Sequence, residues 1–300
     1  MSVLDKLAPG SRVAVIRLRS LGDCVLSTPA VHLLKKHRPD LEIAVVAEER
    51  FADVYRDNPD IAAVLPPRVR ELRAFSPKLC LNLHGGTRSA RLTALSGAEF
   101  RAGFDIFTPG VIYNVRIPRA QETMGVTRRV HTAEHAASAA FHLGVPPGDV
   151  PRARVTAPAG RLIDGNYAVI HPVAATREKT WPAEKFAAVA DGLGDLQPVF
   201  IAGAQDNLQP FARWRTFAGA PLQDVARLMR DASLFIGNDS GPAHIGAAFG
   251  VPEVVLFGPS DAEIWAPWRT ASQVLQAQPI GDIPVAAVLE AARVLRGVAA

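Results

Sequence analysis

The sequence predicts an α/β protein built from two doubly wound, parallel-sheet domains. Three observations carry that expectation. Short apolar runs of strand character alternate with segments of helical spacing along the whole chain, the pattern of parallel strands joined by helices. The alternation breaks once, at Val145–Arg161, which carries Pro146, Pro147, Pro151 and Pro158, and then restarts. Proline fixes φ and lacks an N–H, so this stretch reads as a linker. The 300 residues give each half about 150, enough for a core of its own.

Before the linker, Arg12–Arg17 (RVAVIR) reads as a buried strand. Asp23–His37 follows with Val25, Leu26, Val31, Leu33 and Leu34 at helical spacing. Glu42–Val46 is the next strand, Arg50–Arg56 a short helix and Ile61–Leu65 a third strand. Lys78–Leu83 and Phe100–Phe104 continue the strands, with a helix over Thr87–Leu95 between them, and Thr132–Leu143 is a longer helix closed by Gly144. After the linker come strands at Tyr167–His171, Pro198–Ile201, Ser233–Gly237 and Glu253–Phe257. Helices are expected at Ala183–Leu193, Leu222–Arg230, Pro242–Phe249 and Pro284–Arg296. A strand and helix look compressed within Asp206–Leu222. The domains are set at 1–155 and 156–283, with a terminal helix at about 284–298.

Composition narrows the class. Hydrophobic residues make up 48% and charged residues 21%, as in soluble globular proteins. Apolar runs such as Val251–Phe257 fall well short of the roughly 20 residues that span a bilayer. The N-terminus offers no long apolar stretch followed by a small-residue cleavage site. Cys24 and Cys80 make neither a disulfide framework nor a tetrahedral metal site, so no metal is expected and a reducing cytoplasm is the simplest setting. Charge is uneven: residues 1–155 hold 22 Lys and Arg against 15 Asp and Glu, a balance of +7, whereas the remainder holds 11 against 14, or −3. The basic half suggests an anionic partner, a phosphorylated substrate or a membrane surface, unless its arginines serve only as solvated surface. No helix-turn-helix, zinc-finger or RNA-binding signature accompanies it, so nucleic acid is not expected.

In doubly wound sheets, ligands sit beyond the carboxyl ends of the strands. Arg19-Ser20-Leu21-Gly22-Asp23 follows the first strand and is neither a GxGxxG fingerprint nor a phosphate-binding P-loop. Asp23 there reads either as a cap on a helix N-terminus or as a general base; the residues alone leave both open. Thr176, Arg177, Lys179 and Thr180 gather cations and hydroxyls in one loop after the strand ending at His171, suited to a diphosphate or to an exposed turn. Phe235–His244 (FIGNDSGPAH) is a strand, a small polar turn and a helix start at Pro242. Asp239, Ser240, Gly241 and His244 would frame an anion at that helix N-terminus. Phe257–Asp261 repeats the theme at the next strand end; Trp265 and Trp268 read as packing residues, or one of them as the wall of a sugar or base pocket. His84, in Asn82–Gly86, ends a strand of the first half, facing the ligand or held as a structural histidine.

These blocks, taken in order, resemble glycosyltransferase family 9, the ADP-heptose:lipopolysaccharide heptosyltransferases. The resemblance runs from Ile16–Ala30 (IRLRSLGDCVLSTPA) through Leu83-His84-Gly85 with Arg88-Ser89-Ala90, then His171-Pro172 with Lys179–Pro182, to FIGNDSGPAH and Phe257–Asp261. It implies the GT-B class: two Rossmann-like domains facing a central cleft, acceptor in the first and sugar nucleotide in the second, with the terminal helix returning to the first. It also implies inversion at the anomeric carbon without a required metal or other cofactor. By position, Asp23 becomes the general base, and Lys179 with Thr176 and Thr180 meets the departing diphosphate. Asp239, Ser240, Gly241, His244 and Gln205 line the donor, and Ser20, Gly22, His84 and Arg88 lie on the acceptor side. Ser240 stands where many members have Thr, Gln205 where several have Glu, and Asn82 where Asp is usual.

The expected activity is thus transfer of heptose from ADP-heptose to an anionic, lipopolysaccharide inner-core-type glycolipid, by a cytoplasmic enzyme with peripheral contact to the inner membrane. An epimerase or hydrolase of the same fold, and a sugar-nucleotide-binding protein without catalysis, are the alternatives.

Overall fold

The computed structural model describes residues 1–297 and divides into two compact units, Met1–Thr156 and the chain from Ala157 onward. In the first unit the elements run β1 (Arg12–Ile16), α1 (Leu21–His37), β2 (Glu42–Val46), β3 (Ala63–Leu65), α2 (Val69–Phe75), β4 (Leu79–Asn82), α3 (Thr87–Leu95), β5 (Phe100–Phe104), β6 (Val115–Ile117), α4 (Ala120–Met124) and α5 (Thr132–Leu143). In the second they run β7 (Tyr167–His171), α6 (Ala183–Asp191), β8 (Gln197–Ala202), β9 (Arg215–Ala218), α7 (Leu222–Asp231), β10 (Leu234–Asn238), α8 (Gly241–Phe249), β11 (Glu253–Phe257), α9 (Ala262–Trp265), β12 (Ser272–Gln276) and α10 (Val285–Arg296).

Each unit has one six-stranded sheet, ordered β3-β2-β1-β4-β5-β6 and β12-β11-β10-β7-β8-β9. All the pairings are parallel. Both orders are the doubly wound arrangement, in which the connections change direction between the first and fourth strands of the unit. That switch point falls between β1 and β4 in one sheet and between β7 and β10 in the other. The central strands are buried from end to end, which is why they read as continuous apolar runs instead of alternating ones.

Helix α1 supports the first switch point. Pro29 lies inside it, so the Val25 carbonyl loses its usual N–H partner, and the Thr28 hydroxyl donates to that carbonyl at 2.7 Å instead. The helix packs against α5, whose buried Ala133, Ala136, Ala137, Ala139 and Ala140 let the two backbones approach closely. Trp181 anchors the second unit: it is fully buried, its ring meets Phe186 edge-on, and its indole N–H donates to the Ile283 carbonyl at 3.1 Å.

Several expectations need correction. The short helix expected over Arg50–Arg56 is a 3-10 helix over Glu49–Val54. The supposed linker is largely built into the first unit. Val145, Val150, Ala153 and Val155 are buried, and Arg154 binds Thr28 Oγ1 through its backbone N–H and Asp60 through its guanidinium. Its prolines exclude helix and strand but not packing. The terminal helix, expected to return to the first domain, packs on its own unit. Val288, Ala291 and Ala292 join the second core, Leu289 lies against Gly192, and Arg296 pairs with Asp195. Residue 298 of that expected helix lies outside the described residues. Five elements without a strong periodic signal were not anticipated: α2, β6, α4, α9 and β12. In the compressed stretch a 3-10 turn, Gln209–Phe211, stands where a helix was sought, and strand β9 follows. Trp265 and Trp268 are half-buried and lie outside the core.

Candidate functional site

The first unit gathers charged groups where β1 and β4 end. Arg17, one residue past β1, extends its guanidinium to the Asp23 carboxylate and to the Leu83 carbonyl. The second carboxylate oxygen of Asp23 accepts from the Ser20 backbone N–H at 3.2 Å and from the Ser20 hydroxyl at 3.0 Å. Ser20, not Asp23, is the N-cap of α1, and Asp23 closes the capping box from the third helical position. Asp23 is nonetheless open to a pocket. A cavity of about 280 Å³ is lined by Arg17, Arg19, Ser20, Asp23 and His84. Arg19 and His84 also line a neighbouring cavity of about 500 Å³, which extends to Glu48, Gly86 and Arg88. Arg88 is exposed and pairs with Glu48 at 3.0 Å, and Gly22 is buried in the first turn of α1.

The loop carrying His84 is held from beneath by Asn82. Its Oδ1 accepts the N–H groups of His84 and Gly85, and its Nδ2 donates to Ser89 Oγ and Tyr113 Oη. Both amide atoms are thus used within a fully buried network. Gly85, at φ +71°, sits so close under Phe107 that a Cβ would lie 2.8 Å from its ring. Burial, then the nearby charges of Arg17 and Arg19, hold the His84 pKa below its ordinary value.

In the second unit the corresponding strand ends are those of β7 and β10. Lys179, at the end of a 3-10 turn over Arg177–Lys179, reaches Asp239 Oδ2 at 3.1 Å. Ser240, the N-cap of α8, has its hydroxyl 3.0 Å from His171 Nδ1. Asn238 Oδ1 accepts the Trp181 N–H at 3.0 Å and so ties β10 to the lysine loop. Gly258 is needed for the same closeness: a Cβ there would stand 2.4 Å from the Glu178 carbonyl oxygen. Gly241 opens α8, whose N-terminal N–H groups suit an anion, and the Lys179 ammonium is held two residues before it by Asp239.

The other expected donor residues are placed unequally. Thr180 donates its hydroxyl to the Thr176 carbonyl at 2.8 Å. With Arg177, Glu178, Pro259, Gln278 and Gly281, Thr180 also lines a cavity of about 600 Å³. His244, in the first turn of α8, is buried with 4% exposure, so it backs the turn instead of standing open on it. Gln205 is exposed in the turn after β8, which Asp206 closes by accepting the Gly203 N–H at 2.9 Å. Sequence reasoning overlooked Arg17, Asn238 and any role for His171. The available signal was positional: each ends, or directly follows, a strand at a switch point.

Comparison with known proteins agrees with this geometry. The family model described as glycosyltransferase family 9 (heptosyltransferase) matches residues 68–284. A curated lipopolysaccharide heptosyltransferase 3 from Escherichia coli is 28% identical over 293 residues, covering 84% of each chain. A family 9 glycosyl transferase from Veillonella parvula superposes with a TM-score of 0.82 at 25% identity, covering 95% of this chain and 97% of the other. The ADP-heptose lipopolysaccharide heptosyltransferase II of E. coli gives 0.80 at 21% identity, over 95% and 98%. The expected fold class, GT-B with two Rossmann-like units, is therefore the one found. The chain belongs to glycosyltransferase family 9, the heptosyltransferase family, and is a glycosyltransferase.

Proposed function

We propose that the chain transfers heptose from ADP-heptose to a lipopolysaccharide inner-core-type acceptor with inversion at the anomeric carbon. The observation that carries this reading is the pairing of sites: each sheet sets charged groups of complementary use at its own switch point. In the first, Asp23 lies among Arg17, Arg19 and His84; in the second, Lys179 lies beside the N-terminus of α8. The names of the relatives supply the sugar and the acceptor class. Asp23 itself precedes the stretch matched by the family model, so its role rests on geometry and on the likeness of Ile16–Ala30.

In this mechanism the Asp23 carboxylate takes the proton of the acceptor hydroxyl. The freed oxygen attacks the anomeric carbon as the bond from that carbon to the diphosphate breaks, and ADP leaves. Lys179 has three N–H donors; Asp239 holds one and leaves the others for the departing phosphates. Asp239, an anion, orients the lysine and accepts from a donor hydroxyl instead of meeting phosphate. Ser240 and the free N–H groups at Gly241 complete the anion site, with Thr176 and Thr180 on the adjoining loop and Gln205 on the nucleoside side. Ser20, His84, Arg88 and the arginines of the first pocket face the anionic glycolipid, which the enzyme meets at the inner membrane surface, and the buried Gly22 lies beneath them in α1. Among the described residues, no helix is long and apolar enough to cross a membrane.

The test is Asp23→Asn, assayed with ADP-heptose and a core acceptor. Transfer should fall by about 10²- to 10⁴-fold while ADP affinity holds. Retained turnover would remove Asp23 as the base. Consumption of ADP-heptose without acceptor would instead favour an epimerase or hydrolase, and no turnover under any condition a binding protein.

A further inference from the structure

The Ser240 hydroxyl is set from the neighbouring strand. His171 closes β7 and lies in register with Gly237 of β10, across the switch point of the second sheet. No side chain fits at Gly237: a Cβ would stand 2.7 Å from the Phe235 ring and 3.1 Å from the His171 carbonyl oxygen. The two strands therefore end close together, and His171 Nδ1 lies 3.0 Å from Ser240 Oγ. The imidazole is buried, and burial pushes its pKa down to about 4, against a weaker upward pull from Asp206. It is neutral at neutral pH, with one nitrogen that donates and one that accepts.

A hydroxyl has a single proton. Were Nδ1 the acceptor, Ser240 would point that proton at the histidine and present only lone pairs to an anion at the α8 terminus. With Nδ1 as the donor, the serine proton is turned outward. We propose that His171 is a positioning residue that donates its Nδ1–H to Ser240 Oγ, aiming the Ser240 hydroxyl at the diphosphate of the sugar-nucleotide donor. This inference rests on the donor-site reading above, and it assigns His171 no direct contact with the substrate. It fixes the tautomer of a buried histidine, which is a property that can be measured.

The test is a double-mutant cycle on ADP affinity, read by calorimetry, with inorganic pyrophosphate as a second probe. Ser240→Ala should weaken ADP by about tenfold or more, as expected for a hydrogen bond to a charged group. His171→Phe should weaken it severalfold in the natural protein and not at all in the Ser240→Ala background. His171→Asn, whose side-chain amide can donate from nearly the position of Nδ1, should recover most of the loss. Equal losses from His171→Phe in both backgrounds would mean a purely structural histidine and would overturn the inference while leaving the donor site standing. If the natural protein binds neither ADP nor pyrophosphate, the donor reading fails and takes the inference with it. Should His171→Phe fail to fold, nitrogen-15 spectra of the imidazoles decide: an Nδ1-protonated His171 in the ADP complex supports the proposal, and an Nε2-protonated one refutes it.

Discussion

Glu253 opens β11 with its carboxyl fully buried and neither oxygen hydrogen-bonded. It sits against α8, where a Cβ on Gly246 would come within 2.2 Å of Oε1. Burial alone raises its pKa well above the ordinary 4.5, because a carboxylate without a partner is costly in a dry interior. The sign of the consequence follows from linkage. Below 4.5 both the folded and the unfolded chain hold the proton, and the stability tied to that proton is whole. As pH rises above 4.5 the unfolded chain ionises while the folded one does not. Stability then falls by about 1.4 kcal/mol for each pH unit over which the folded carboxyl keeps its proton. Glu253→Gln removes the ionisation. A buried amide costs about 1–3 kcal/mol of its own, but that cost does not vary with pH. Relative to the natural protein, the variant should therefore gain about 1.4 kcal/mol per unit from about pH 5 upward.

Urea denaturation followed by tryptophan emission measures this difference in the relevant unit, since Trp181, Trp214, Trp265 and Trp268 are the only tryptophans and all lie in the second unit. The other titrating groups are common to both proteins and cancel in the comparison. A variant whose advantage stays flat between about pH 5 and 7 would refute the reasoning, because Glu253 would then ionise alike in both states.

Other outcomes follow from neighbouring features. Asn82→Ala strips a buried network of four hydrogen bonds and should destabilise the first unit by about 3 kcal/mol; hydrogen exchange in β4 and the His84 loop measures it, and a loss under about 1 kcal/mol would argue that water replaces the amide. Gly258→Ala drives a methyl group into the Glu178 carbonyl, displacing the loop that holds Lys179. ADP affinity should drop by about tenfold, a loss of about 1.4 kcal/mol, with the fold retained; unchanged affinity would separate that loop from the donor site. Cys24 and Cys80 are both buried, and burial pushes their thiols up to about 11 and about 12 respectively. A thiol reagent at about pH 8 should therefore label the unfolded chain and spare the native one; rapid native labelling would contradict the burial.

The sequence made legible those elements whose signal is local. Buried parallel strands such as Leu79–Asn82 and Leu234–Asn238 read directly as apolar runs, and the helix starts near Asp23 and at Pro242 announce themselves by first-turn carboxylate and proline. What escaped was short or half-exposed. Strands β6 and β12 carry mixed burial, and β6 is only three residues long, so their existence depends on a neighbour to pair with and not on their own composition. The same division runs through the site. Asp23 is legible as a candidate, cap or base, because a carboxylate in the first turn of a helix is a local event. Arg17 was absorbed into the strand before it, since nothing local distinguishes a cation that closes a strand in solvent from one that reaches across to the next strand end. Only the register of β1 with β4 brings the Leu83 carbonyl to the guanidinium that Asp23 meets from α1. Asn82 and His171 repeat the case, each acting through a partner on another strand or helix. Residues placed at a helix N-terminus can therefore be read from sequence, whereas those that meet a partner across neighbouring strands become visible only when the strand order of the sheet is known.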